Sequence, residues 1–266
     1  MAMIYSLHDS IDAGGDFDMV DFRATSVDEF ISDGRESHSL VKEKLRRPAV
    51  NDAIERPRLM TLLDRSARQF PTTLICGRAG TGKTTLAAGF AAAFDNAYWY
   101  SVDSTDAEWN SFSRYFAACI GESTNSPVPS ERTDGTVDQS DIARFLLNIF
   151  VNTYDATRSE TRLIVIDDIH HLFDAAWFDD FFNLLLYSIP SKAHLLLLCR
   201  SKPPNPLWRL RSKQMLNVLD EKVIAFDPVE TESLFEKFGL SASAARDAQR
   251  KYFGRASKLA QLGSTA

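Results

Sequence analysis

Apolar and polar residues fall into blocks whose spacing changes repeatedly along the chain. Leu59, Leu62, Leu63 and Ala67 follow a helical spacing, and Thr72-Thr73-Leu74-Ile75-Cys76 is a short β-prone run. Thr85 to Phe94 is alanine-rich and predicts a helix. Ala97 to Asp103, with Tyr98, Trp99 and Tyr100, predicts a second strand. Trp109, Phe112, Phe116 and Ile120 mark one helix face. Ile142, Phe145, Leu146, Ile149 and Phe150 mark another, with Ser140 as its expected N-cap. Between them, residues 121–140 hold Gly121, Pro127, Pro129 and Gly135 among polar residues and predict a loop. The four consecutive aliphatics Leu163-Ile164-Val165-Ile166 suit a strand buried on both faces, hence parallel and central. Asp174 is placed to cap a helix whose apolar face holds Trp177, Phe178, Phe181, Phe182 and Leu185 before Pro190 stops it. His194 to Arg200 predicts a further strand, Lys222 to Phe226 a fifth, and helices are expected over 229–238 and 241–253. Alternating strands and helices specify an α/β three-layer sandwich around a central five-stranded parallel sheet, with a small C-terminal helical extension. The expected division is residues 1–40, 41–228 and 229–266.

Charge separates the first of these segments from the rest. Of the net −6, residues 1–40 carry nine acidic side chains against two arginines, a net −7, which leaves +1 on the other 226 residues. The segment reads as a disordered, acidic interaction arm, and the near-neutral remainder argues against a globally basic nucleic-acid binder. A basic run, Lys42 to Arg47, reads as solvated surface. No stretch reaches the roughly 20 apolar residues of a membrane span, and the start does not have a secretory pattern. Cys76, Cys119 and Cys199 lack metal-ligand spacing and read as reduced core residues, Cys76 as a small apolar residue closing a buried strand; together these predict a cytoplasmic protein.

The chemistry lies between the first strand and its helix. Gly77-Arg78-Ala79-Gly80-Thr81-Gly82-Lys83-Thr84 is a complete G-x-x-x-x-G-K-T phosphate-binding loop, and Thr85 follows it into the helix. Its glycines allow a tight turn that aims backbone N–H groups at a phosphate. Lys83 reaches the β- and γ-phosphates, and the Thr84 hydroxyl is a Mg²⁺ ligand. The apolar strand ending in Asp167-Asp168 has the form of a Walker B motif, in which Asp167 holds Mg²⁺ and Asp168 orients or deprotonates the attacking water. Arg200 ends the next strand, where the edge of a parallel sheet lines the ligand crevice, and can meet a γ-phosphate. A surface salt bridge is the alternative for Arg200, and His170 and His171 read equally well as site neighbours or loop residues.

With these pieces in place the chain resembles the nucleotide-binding domain of the MalT-like, LuxR-type regulators, signal-transduction ATPases with numerous domains. The likeness covers roughly residues 40–260. It rests on Arg56-Pro57-Arg58-Leu59, Gly80-Thr81-Gly82-Lys83-Thr84-Thr85-Leu86, Trp99-Tyr100-Ser101-Val102-Asp103, Ile166-Asp167-Asp168-Ile169-His170, Arg200-Ser201-Lys202-Pro203-Pro204 and Leu207-Trp208-Arg209-Leu210-Arg211. The resemblance implies ATP and ADP as ligands with Mg²⁺, slow hydrolysis, Arg200 as γ-phosphate sensor, and the region including Arg56 and Pro57 packed near the adenine. It implies a switch between a resting ADP state and an ATP-bound assembling state, with a protein partner or self-association as output. The family's helical sensor repeats and helix-turn-helix have no counterpart before Ala266, so direct DNA binding by this chain is not expected. Two other readings stay open: an AAA-type ATPase that turns over ATP to remodel or load a partner, and a DNA-binding or interaction fragment with a structural nucleotide.

Overall fold

The structure, a computed structural model, describes residues 40–50, 53–121, 129–153 and 161–265. The acidic arm up to residue 39 lies outside the described residues, as does 122–128 of the expected loop. Residues 40–266 group as one unit. A parallel sheet organises it: β1 (Thr72–Cys76), β2 (Asn96–Ser101), β3 (Arg162–Asp167), β4 (Ala193–Cys199) and β5 (Leu216–Leu219), in the order β2-β3-β4-β1-β5. Every pairing is parallel. β3 and β4 are buried almost throughout, as their unbroken aliphatic runs require.

Side chains alternate across the sheet and feed two cores. Ile164, Ile166, Leu195, Leu197 and Leu74 face an aromatic layer from α3 (Trp109–Ile120), α4 (Gln139–Thr153) and α5 (Phe178–Ser188). There Phe112 stacks on Trp177 at 4.6 Å between ring centroids, and Trp109 meets Trp177 and Phe181 edge-on. Leu163, Val165, Leu196, Leu198 and Ile75 face α1 (Pro57–Gln69) and α2 (Lys83–Ala91). The C-terminal residues add α8 (Pro228–Lys237), α9 (Ala242–Tyr252) and α10 (Ala256–Thr265), joined by Leu234, Phe235, Ala245, Ala248 and Leu259. No helix among the described residues is long and apolar enough to cross a membrane.

Three local expectations need correction. The fifth strand is not Lys222–Phe226: strand pairing ends at Leu219, and Asp220 caps a helical turn, α7 (Glu221–Ile224), by accepting from the N–H groups of Lys222 and Val223. The Val-Ile-Ala-Phe run looked extended, but a cap three residues ahead of Val223 decides its conformation. At the start of α4 the capping side chain belongs to Asp138, which accepts from the Ser140 N–H and hydroxyl, so Ser140 is capped rather than capping. Asp174 does not cap α5, whose N-cap residue is Trp177. Pro190 does stop α5: Ile189 before it is extended, at φ −61° and ψ 125°.

A buried polar chain crosses the N-terminal ends of the strands. Asn217 donates to the Ser66 hydroxyl at 2.8 Å, Ser66 and Thr73 meet at 2.5 Å, and Thr73 lies 3.0 Å from His194 Nε2. His194 Nδ1 lies 3.0 Å from the Phe70 carbonyl. That carbonyl only accepts, so Nδ1 carries the proton and Nε2 accepts from Thr73. Burial drives the imidazole down to about 4 from its ordinary 6.5, against the opposing bond to Phe70. The unfolded chain therefore binds the extra proton first. This contribution is complete above pH 6.5 and is lost as pH falls toward 4, by about 3 kcal/mol. Urea unfolding at pH 7.5 and 4.5 should show that loss in the wild type and a clearly smaller one in His194→Gln; equal slopes would remove His194 as its source.

Candidate nucleotide site

Three strand ends meet at the C-terminal edge of the sheet. β1 leads into the Gly77–Thr84 loop, β4 leads into Arg200, and β3 leads into Asp167-Asp168. Because β4 lies between β1 and β3, Arg200 emerges between the loop and the acidic pair. The loop continues the sheet for one step, since the Gly77 N–H donates to the Cys199 carbonyl at 3.1 Å. It then turns through Gly80 at φ 77° and Gly82 at φ 86°, left-handed conformations that favour glycine, and α2 begins at Lys83.

The side chains are organised by mutual contacts. The Lys83 ammonium is buried and donates to the carbonyls of Gly77 at 2.7 Å and Arg78 at 3.1 Å. Burial lowers its pKa, while Asp168 and Asp167 oppose that shift. The Thr84 hydroxyl donates to Asp167 Oδ2 at 2.8 Å, and Asp167 Oδ1 accepts from the Asp168 N–H. Burial raises the Asp167 pKa, against the Thr84 hydrogen bond. A hydroxyl and a carboxylate brought together beside a loop with a buried lysine form a hard-oxygen donor set that fits Mg²⁺ better than a softer metal.

Asp168 and Arg200 face each other as a two-pronged ion pair: Nε to Oδ1 at 3.0 Å and Nη2 to Oδ2 at 2.7 Å. Asp168 sits at φ 57°, a left-handed conformation uncommon outside glycine, just where strand β3 gives way to a short 3-10 turn. His170 Nδ1 lies 3.7 Å from Asp168 Oδ1, is buried without a hydrogen-bond partner, and its ring packs on His171 at 4.3 Å. Burial and the neighbouring His171 lower the His170 pKa.

Arg56 and Pro57 line the same open groove of about 2050 Å³ as Gly80, Gly82 and Thr85. The Arg56 guanidinium, however, bonds to Glu230 at 2.7 Å and the Ile224 carbonyl at 2.9 Å, and lies over the Phe226 ring at 4.0 Å. Thr81 is buried and its hydroxyl donates to the Arg78 carbonyl. Lys44, at the centre of the basic run, is held by Asp103 at 2.8 Å and Asp106 at 2.9 Å.

Three contacts to the loop escaped the sequence reading. Glu221 accepts from the Arg78 N–H at 3.1 Å and pairs with its guanidinium at 2.7 Å. The Ser257 N–H donates to the Gly80 carbonyl at 2.9 Å, and Arg255 Nη2 donates to the Ala79 carbonyl at 3.1 Å. A side chain at Gly80 would collide with Ser257, so this glycine serves close approach as well as the turn. The partners lie 143 residues or more apart, and no local spacing signals them. The start of α10 thus closes one side of the loop, and the loop bonds the C-terminal helices directly.

Residues 68–199 match the AAA domain family. The HTH-type transcriptional regulator MalT of Vibrio cholerae is 29% identical over 199 residues, covering 74% of this chain and 22% of the relative. MalT of Serratia proteamaculans is 28% identical over 213 residues, covering 79% of this chain and 23% of the relative. The chain therefore spans about a fifth of the length of these curated relatives. The fold is shared with a Walker-type ATPase of Pyrococcus abyssi, at a TM-score of 0.51 and 13% identity over 82% of this chain and 69% of that one. The chain thus holds an AAA-type P-loop domain over residues 68–199 and is similar over about three quarters of its length to the MalT regulators.

Proposed function

We propose that the chain binds ATP and ADP with Mg²⁺ at Gly77–Thr84 and acts as an ATP-gated switch with slow hydrolysis, signalling through a protein partner or self-association. The reading rests above all on the Asp168–Arg200 pair. The guanidinium engages both carboxylate oxygens and holds Asp168 turned toward Arg200, so a change at Arg200 is felt by the residue placed to orient water. A γ-phosphate competes with Asp168 for Arg200, and ADP has none, so the two nucleotides favour different states of the pair. Thr84 and Asp167 would hold Mg²⁺, which supplies charge neutralisation on the β- and γ-phosphate oxygens. Ile54, Met60, Gly89 and Leu234 give the groove beside the loop an apolar wall suited to the base. The engagement of Lys44 by two aspartates weakens the case for DNA contact through the basic run.

The test compares ATP with ADP on the full chain, by affinity and by size-exclusion chromatography. The expected result is a nucleotide-dependent difference in affinity and elution that Arg200→Ala erases while ADP binding persists. Equal affinity and equal elution with both nucleotides in the wild type would defeat the switch reading.

A further inference from the structure

Cys76 and Cys199, two separate strand-closing residues in the sequence, meet across the sheet. Cys76 ends β1 and Cys199 ends β4, and they are directly paired in the parallel register. Registered residues of adjacent strands point to the same face, and strands lie about 4.8 Å apart, within the roughly 4.4–6.8 Å Cα separation that a disulfide spans. Both Sγ atoms lie 3.1 Å from a single acceptor, the Ser201 carbonyl. The two thiols therefore converge on one point.

They differ in access and in acidity. Cys76 is half-buried and Cys199 fully buried, so a reagent from solution meets Cys76 first. The neighbouring Cys199 thiol and the Lys83 ammonium shift the Cys76 thiol downward, against the opposing effect of burial. Cys199, buried and beside the Cys76 sulfur, is shifted upward. Cys119 is an internal comparison: buried in the aromatic core, its thiol is pushed up to about 12 by burial alone. An accessible, acidic thiol beside a protected second thiol is the arrangement of a reversible thiol switch.

We propose that Cys76 is a thiol-modification site for low-molecular-weight disulfides, and that Cys199 resolves the adduct into a Cys76–Cys199 disulfide at the base of the phosphate loop. The Cys76 thiolate attacks one sulfur of the disulfide RSSR, forming Cys76–S–S–R and releasing RS⁻, which takes up the Cys76 proton. Cys199 then gives up its proton and attacks the Cys76 sulfur, expelling the second RS⁻, which leaves as RSH. Two protein thiols are oxidised and one RSSR is reduced to two RSH. The bond fixes the residue before Gly77 to the residue before Arg200, and the inference holds whether or not the loop binds nucleotide.

The test treats the reduced full chain with glutathione disulfide at neutral pH, quenches with acid, and maps the peptides by mass spectrometry. The expected product is a Cys76–Cys199 linked peptide, with Cys119 free and its alkylation by iodoacetamide at least about 10-fold slower than that of Cys76. Cys199→Ala should stop at the glutathione adduct on Cys76, and Cys119→Ser should behave as wild type. The decisive reading comes from the wild-type chain, so no variant's folding can obscure it. Linkage through Cys119, or Cys76 reacting no faster than Cys119, would overturn the proposal.

Discussion

Lys83→Ala should lose nucleotide binding almost completely while the chain stays folded. The ammonium now satisfies the carbonyls of Gly77 and Arg78 at the mouth of the loop. These bonds set its position, pointing a partly desolvated charge to where the loop would hold phosphate. Hydrogen bonds to charged groups contribute about 1.5–3 kcal/mol each, so losing the contacts to two phosphates costs about 3–6 kcal/mol, or ~100-fold or more in Kd. At a nucleotide concentration of 100 Kd the wild type gains about 2.7 kcal/mol of stability, and the variant at that same concentration gains under about 0.5 kcal/mol. Thermal unfolding with and without Mg-ATP, which carries both phosphates, measures both. Circular dichroism of the unliganded variant guards against misfolding, because the substitution strands only carbonyls that can turn to water. A variant whose melting temperature rises with nucleotide as far as the wild type's would falsify the placement of the phosphates at this loop.

The parts of this site that were legible in the sequence are those whose chemistry is local. The spacing of Gly77, Gly82, Lys83 and Thr84 needs no partner to be recognised, and Asp167 follows a run of aliphatics that can only be a buried strand. β3 and β4 were found because each is sandwiched between two cores and carries a run of consecutive aliphatics, and β1 because its short β-prone run leads directly into the glycine loop. Among the described residues β5 lies at the edge of the sheet and pairs only with β1, and it is only partly buried at Asn217 and Val218, so Leu216-Asn217-Val218-Leu219 carried too weak a pattern against the Val-Ile-Ala-Phe run beyond it. The contacts of Glu221, Arg255 and Ser257 to the loop were invisible because they depend on how the C-terminal helices return to the sheet edge. Arg200 was placed correctly at its strand end, but its pairing with Asp168 depends on β4 lying beside β3, and sequence order does not supply that neighbour. Cys76 and Cys199 show the same limit. Cys76 reads alone as a small strand-closing residue and Cys199 as a reduced core residue, and only the β1–β4 register makes them a pair.

The return of the C-terminal helices also gives Arg56 a structural role beside the one the family likeness suggested, and Arg56→Ala should be strongly destabilising. Arg56 and Glu230 are both buried, and their bond at 2.7 Å joins the residue before α1 to the first turn of α8. Burial alone would raise the Glu230 pKa; the bonds from Arg56 and the Asp227 N–H outweigh it and hold the carboxyl below its ordinary value. Removing one partner of a buried pair costs about 3–5 kcal/mol, because the other charge stays behind without compensation. Arg58 keeps a contact with Glu230 at 3.2 Å and is more exposed, which places the expected loss near the lower end, at about 3 kcal/mol. Glu230 also closes the capping box with Asp227 at the start of α8, so it would be left charged inside a helix end that still needs it. The loss should therefore fall unevenly. Hydrogen exchange is expected to speed up in α8 to α10 more than in β3 and β4, and denaturant unfolding should show a lower midpoint. Glu230→Gln, which keeps the shape and removes the charge, should destabilise comparably, since it leaves the Arg56 charge buried. In the double variant Arg56→Met, Glu230→Leu no charge is stranded, and part of the stability should return. If either single variant unfolds at the wild-type denaturant midpoint, the tie between the sheet and the C-terminal helices does not run through this pair.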